Sequence, residues 1–103
     1  MTINEYIEKL EQYANEHNIN KNMYRYAFGC DEGPKYTRIW RGERWKNQYT
    51  EELGEIIHKS VFCFVDQEGN IYKAAGWKAP AKGARGHLDG FAPLDGADLY
   101  KRL

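Results

Sequence analysis

Ser60-Val61-Phe62-Cys63-Phe64-Val65-Asp66, then Gln67-Glu68-Gly69-Asn70, then Ile71-Tyr72-Lys73-Ala74-Ala75, is the stretch that sets the fold. The first piece is the most apolar run in the chain. Its β-branched and aromatic residues predict a central strand. The second piece is polar and contains glycine, which predicts a turn. The third returns beside the first as an antiparallel partner. A sheet therefore organises this chain, and the remaining elements have to pack on it.

Upstream, Thr2 and Glu5 have the spacing of a capping box. Ile3, Tyr6, Ile7, Leu10, Tyr13 and Ala14 recur at helical spacing, so a helix is expected from about Ile3 to His17. The period then changes. Tyr24, Tyr26, Phe28 and Cys30 alternate with Met23, Arg25, Ala27 and Gly29, the pattern of a strand with one buried face. Asp31-Glu32-Gly33-Pro34 predicts a turn, and Lys35 to Arg41 a second strand of the same hairpin. Gly42 to Thr50 is polar and is expected to be an exposed excursion. Thr50 to Ile57 fits a short helix or a loop leading into the central strand. The tail, Leu88 to Leu103, contains Gly90, Pro93 and Asp95-Gly96, with one helical turn expected near Ala97 to Lys101. The expected architecture is α+β in a single domain, 1–103: an N-terminal helix on an antiparallel sheet of about four strands, with a basic loop after the last strand. A sheet this small has two edges to protect, which predicts a homo-oligomer.

Composition narrows the function classes. The 103 residues carry 15 Lys+Arg and 15 Asp+Glu, so no global charge steers the chain toward nucleic acid, and any anion binding must be local. Eight Tyr, three Trp and four Phe argue against disorder and supply flat surfaces that stack on bases or fill interfaces. No apolar run approaches the roughly 20 residues that span a bilayer. The first residues lack the basic and apolar regions of a secretory signal, so a cytoplasmic protein with no membrane contact is expected. Cys30 and Cys63, far apart and in apolar surroundings, are expected to be buried, reduced thiols.

The chemistry concentrates downstream of the central strands. Gly69 to Leu88 holds Lys73, Lys78, Lys82 and Arg85 and no acid. Glycines, alanines and Pro80 surround them and let a backbone come close to a ligand. Arg offers a bidentate fork and Lys a point charge, so the segment suits phosphate. A merely solvated basic loop would have the same composition. Trp77 and Tyr72 are placed to stack on a base. A second cluster, Lys35, Arg38, Arg41, Arg44 and Lys46, includes one acid, Glu43. Arg38 shares a strand face with Tyr36 and Trp40. That face is either core, with Arg38 snorkelling at its rim, or a guanidinium and aromatic platform. His17, His58 and His87 show no metal or catalytic spacing, neither cysteine has a neighbouring base, and the Gly76–Gly83 segment lacks a Walker ending. No catalytic set, metal or cofactor is expected.

Ser60–Asp66, Gly69–Trp77 and, above all, Lys78-Ala79-Pro80-Ala81-Lys82-Gly83-Ala84-Arg85-Gly86 resemble a family of small, mostly uncharacterised tailed-phage and prophage proteins. A weaker similarity lies at Lys35 to Arg41. The resemblance implies viral origin and action in the host bacterial cytoplasm. In outline the chain is also similar to phage anti-defence sponge proteins, which bind cyclic nucleotides or cyclic ADP-ribose signals. A non-enzymatic protein that sequesters a small phosphate-bearing nucleotide is therefore expected. Lys78, Lys82 and Arg85 would neutralise phosphate, with Lys73 nearby, Trp77 or Tyr72 would stack, and Arg38 or Arg41 would assist. The alternatives are a nucleic-acid-binding accessory protein and a protein–protein inhibitor of a host factor.

Overall fold

The computed structural model describes residues 1–99. Helix α1 (Ile3–Glu16) starts where its capping box dictates: the Thr2 side chain accepts from the Glu5 amide, and the Glu5 carboxylate accepts from the Thr2 amide. Its apolar stripe brings Tyr6 and Leu10 to full burial. Five strands come next: β1 (Tyr24–Glu32), β2 (Tyr36–Lys46), β3 (Leu53–Asp66), β4 (Asn70–Ala74) and β5 (Pro80–His87), before a short α2 (Gly96–Leu99). They form one sheet in the order β1-β2-β3-β4-β5, every neighbouring pair antiparallel. The class is α+β, but the sheet has five strands rather than about four.

Four expectations need correction. The segment expected as a basic loop is a strand over Pro80–His87, leaving only a short turn between β4 and β5. Gly42–Lys46 is no excursion but the continuation of β2, paired with both neighbours. Leu53–Lys59 extends β3. The turn expected at Asp31–Pro34 is shorter, because Asp31 and Glu32 still pair with Arg38 and Thr37. Of the final turn expected over Ala97–Lys101, Ala97–Leu99 lie in α2 and the rest falls outside the described residues.

The core lies between α1 and one face of the sheet. Phe28, Ile39, Cys63, Val65 and Ile71 meet Tyr6 and Leu10 there. Strict alternation along β3 would place Phe62 with Phe64, away from Cys63. A register shift against β2 between Ile39 and Trp40 changes that. Phe62 joins the helix side, edge-on to Phe28 at 5.6 Å, while Phe64 faces the other way and is still 3% exposed. Both faces of this short region are thus buried. The Tyr6 hydroxyl donates to the Pro93 carbonyl and draws the C-terminal segment over the core.

The β1 edge is closed by α1 itself. Asn15 donates to the Tyr26 carbonyl at 3.1 Å and accepts from the Tyr26 amide at 2.8 Å. Asn18 donates to the Tyr24 carbonyl, and Glu11 accepts from the Phe28 amide. On the far side, β4 pairs β3 only at Cys63–Val65, so β1, β2 and β3 run on together beyond β4 in a molecule 45 Å long and about half as wide. Both cysteines are free thiols; Cys63 is fully buried as expected, whereas Cys30 is only half-buried.

Candidate functional site

The site is built on the sheet face turned away from α1. The unbroken β1–β2 register places Arg25, Ala27, Gly29 and Asp31 on it from β1. From β2 it takes Tyr36, Arg38, Trp40, Gly42, Arg44 and Lys46. Phe64 and Tyr72 join from β3 and β4 as cross-strand partners of Arg38 and each other.

Arg38 is the hub. Its Nη2 pairs with Asp31 Oδ2 at 2.9 Å, its Nη1 donates to the Trp77 carbonyl at 3.1 Å, and its guanidinium lies 4.2 Å from the Trp77 ring centroid. The β4–β5 turn is therefore folded back across β4 and β3 and latched to β2. The Arg38 Nε is buried with no hydrogen-bond partner. Arg38 is a positioning residue for Trp77, and both its Nη atoms are already engaged. Of the two roles the sequence left open for its face, it fills a third: a support for the aromatic.

Trp77 keeps 41% of its surface exposed while one ring face rests on Arg38. Lys78 comes next in the chain and borders an open cleft of about 300 Å³, shared with Lys35, Tyr36, Arg38 and Phe64. Asp31 and Glu32 border the same cleft, so it is not uniformly cationic. Tyr72 stands edge-on to Tyr36 at 5.7 Å, and its hydroxyl donates to Asp66 Oδ2 at 2.8 Å. That bond, with burial, pushes the Tyr72 hydroxyl up to about 12. Burial acts to raise the Asp66 carboxyl. Hydrogen bonds from the Asn70 side chain and amide, Tyr72 and the Glu68 amide outweigh it and hold the group below its ordinary value.

The eight residues singled out from the sequence divide. Arg38, Tyr72, Trp77 and Lys78 come together on the helix-free face. Arg41 and Lys73 lie on the helix side, paired with Phe28 and Cys63, and border a separate cleft of about 210 Å³ near α2. Arg41 there sits 5.0 Å from the Tyr26 ring centroid. Lys82 is exposed on β5 beside Gly83, whose φ of 88° bends the strand. Arg85 is half-buried, at a register shift opposite Tyr72. Neither borders the cleft at Lys78.

Three participants escaped the sequence reading. Asp31 is the partner of Arg38, which only the true hairpin register reveals. Lys59 lies 4.3 Å from the Trp40 ring centroid, delivered by a bulge at His58, a non-glycine residue with φ of 55°. Arg25 is the direct cross-strand partner of Arg44. The alternation of Arg25 with Tyr24 and Tyr26 was visible and marked it as facing away from the core, but nothing local paired it with Arg44.

Residues 2–95 match a family of unknown function (DUF7717), and the chain belongs to that family. No curated protein and no solved structure matches it. Among the described residues, no helix is long and apolar enough to cross a membrane.

Proposed function

We propose that this chain is a binding protein for a ligand that carries both a nucleobase and phosphate, held at Trp77 without chemical change. The observation that carries the reading is the Trp77 ring, fixed on Arg38 with an exposed side, beside Lys78 and its cleft. A ring already held in place loses little freedom on stacking, and stacking on one base is worth about 1–3 kcal/mol. Lys78 and Lys35 supply charge for phosphate at the same end of the sheet. A cyclic nucleotide signal sequestered by a phage protein and a nucleotide within a longer strand share this chemistry.

The test is equilibrium binding of cyclic di- and trinucleotides, cyclic ADP-ribose isomers and a linear dinucleotide, followed by heat release of the ligand. The ligand should be recovered intact, and Trp77→Ala should weaken binding by about 5- to 150-fold. Recovery of a hydrolysed product would replace capture with catalysis. Binding indifferent to Trp77→Ala would remove the site.

A further inference from the structure

The helix-free face carries cations well beyond Trp77. Arg25 and Arg44 stand directly opposite each other on neighbouring strands. Like charges so placed destabilise a sheet, and neither arginine is in a salt bridge with a carboxylate among the described residues. Arg44 donates to the Gly54 carbonyl at 2.8 Å and the Leu53 carbonyl at 3.4 Å, which fixes the side chain without cancelling its charge. Lys46 comes next on the same face. Midway, Lys59 lies over Trp40.

Acids stand at the two ends of this track, Asp31 and Glu32 at the cleft of Lys78 and Glu51 beside Lys46. Asp31 is engaged by Arg38, and Asp66 by Asn70 and Tyr72. Glu43 points to the helix side, where it accepts from Trp45 and pairs with His58. A protein neutral overall thus gathers Arg25, Arg44, Lys46 and Lys59 along one face, between those acids.

We propose that this face is a track for a single-stranded polynucleotide. One base stacks on Trp77, and the backbone runs along β2 past Lys59 to Arg25 and Arg44. The inference rests on the nucleotide reading of Trp77 and extends it. Arg38 to Arg44 spans six residues of β2, or about 20 Å at about 3.4 Å per strand residue. A stacked strand rises about 3.4 Å per nucleotide, so the track holds about six nucleotides. A duplex offers no free base face to Trp77, whereas a single strand does.

The experiment is fluorescence anisotropy with labelled oligo-dT and oligo-U, from the dinucleotide to about 12 nucleotides, within the ~4–16 nucleotide sites of single-strand-binding folds. Affinity should climb with length and level off near about six nucleotides. Four phosphates neutralised by Arg25, Arg44, Lys59 and Lys78 give a slope of log K against log salt of about −2.8. Replacing Arg25 and Lys59 by Ala should halve that slope to about −1.4 and weaken long oligomers at least ~10-fold at low salt. Dinucleotide binding should stay as it was, and Arg25→Lys with Lys59 intact should retain the parental slope. A dinucleotide or cyclic dinucleotide that binds as tightly as the longest oligomer would overturn the track and leave Trp77 standing. Equal affinity for a duplex would overturn the assignment to single strands. Failure of every nucleotide to bind would remove the Trp77 reading and the track with it.

Discussion

Gly29→Ala reports on how the helix-free face is assembled. A Cβ at this position would lie 2.2 Å from Cζ2 of Trp40, with Cε2 at 2.7 Å and Cη2 at 2.8 Å. Carbon atoms rest about 3.5–4.0 Å apart, so the ring must lift by more than about 1 Å. Lifting it disturbs the Lys59 ammonium, 4.3 Å from the ring centroid on the face. Overpacking of this kind costs about 1–3 kcal/mol. Replacing a strand glycine by alanine returns roughly 0.5–1 kcal/mol of chain entropy. The net loss is up to about 2.5 kcal/mol, or up to roughly 20 °C in Tm for a domain of this size. In a Trp40→Ala background the clash is gone and the entropic gain remains. There Gly29→Ala should be neutral or stabilise by up to about 1 kcal/mol. Urea unfolding monitored by far-UV circular dichroism measures all four variants without depending on tryptophan emission. An equal cost in both backgrounds would show that the ring does not rest on the glycine.

Tyr6→Phe removes the buried hydroxyl that bonds the Pro93 carbonyl, and should cost about 1–3 kcal/mol in chemical denaturation; a neutral result would mean that water replaces the bond freely. Asn15→Ala strips both backbone bonds from the β1 edge at Tyr26, so it should lower Tm and make the mass from light scattering rise more steeply with concentration than the parent's; an unchanged profile would mean the edge stays closed without Asn15. Asp66 is held below its ordinary value, so its contribution is present above the unfolded pKa, about 3.9, and fades as pH falls through the lowered folded value. The Tm gap between the parent and Asp66→Asn should therefore be widest near neutrality and close in acid; a constant gap would assign the effect to packing. Burial pushes the Cys63 thiol up, so it should react with Ellman's reagent only on unfolding, while half-buried Cys30 reacts earlier; simultaneous reaction in the native protein would contradict this.

The helix, β1, β4 and the central parts of β2 and β3 were legible because their local signals agree with their burial. Thr2 and Glu5 mark the start of α1, and Tyr24 to Cys30 alternates as its half-buried position requires. β5 was not legible. Pro80-Ala81-Lys82-Gly83-Ala84-Arg85-Gly86-His87 has no strand-forming residue, and it pairs because β4 offers a free ladder. Gly86 lets the C-terminal segment lie close against β5: a Cβ there would meet the Phe91 carbonyl oxygen at 2.3 Å and Pro93 Cδ at 2.7 Å. The outer parts of β2 and β3 were hidden for a different reason. The outer part of β3 is exposed along nearly all its length and that of β2 is mostly half-buried on both sides, so burial imposes no alternation on their sequence. The site was legible as a set of residue types and not as a place. Arg38, Trp77 and Lys78 converge because a turn folds back over two strands, and Arg41 and Lys73 are removed by the parity of the sheet.

The asparagines of α1 and of the turn after it also fix how far this sheet could ever grow. With Asn15, Asn18 and Glu11 occupying the backbone of β1, a further strand can join only from the opposite side. Two copies meeting there would each turn a sealed flank outward. Any assembly by strand addition would then terminate at a pair, a limit on stoichiometry written into the last turns of one helix.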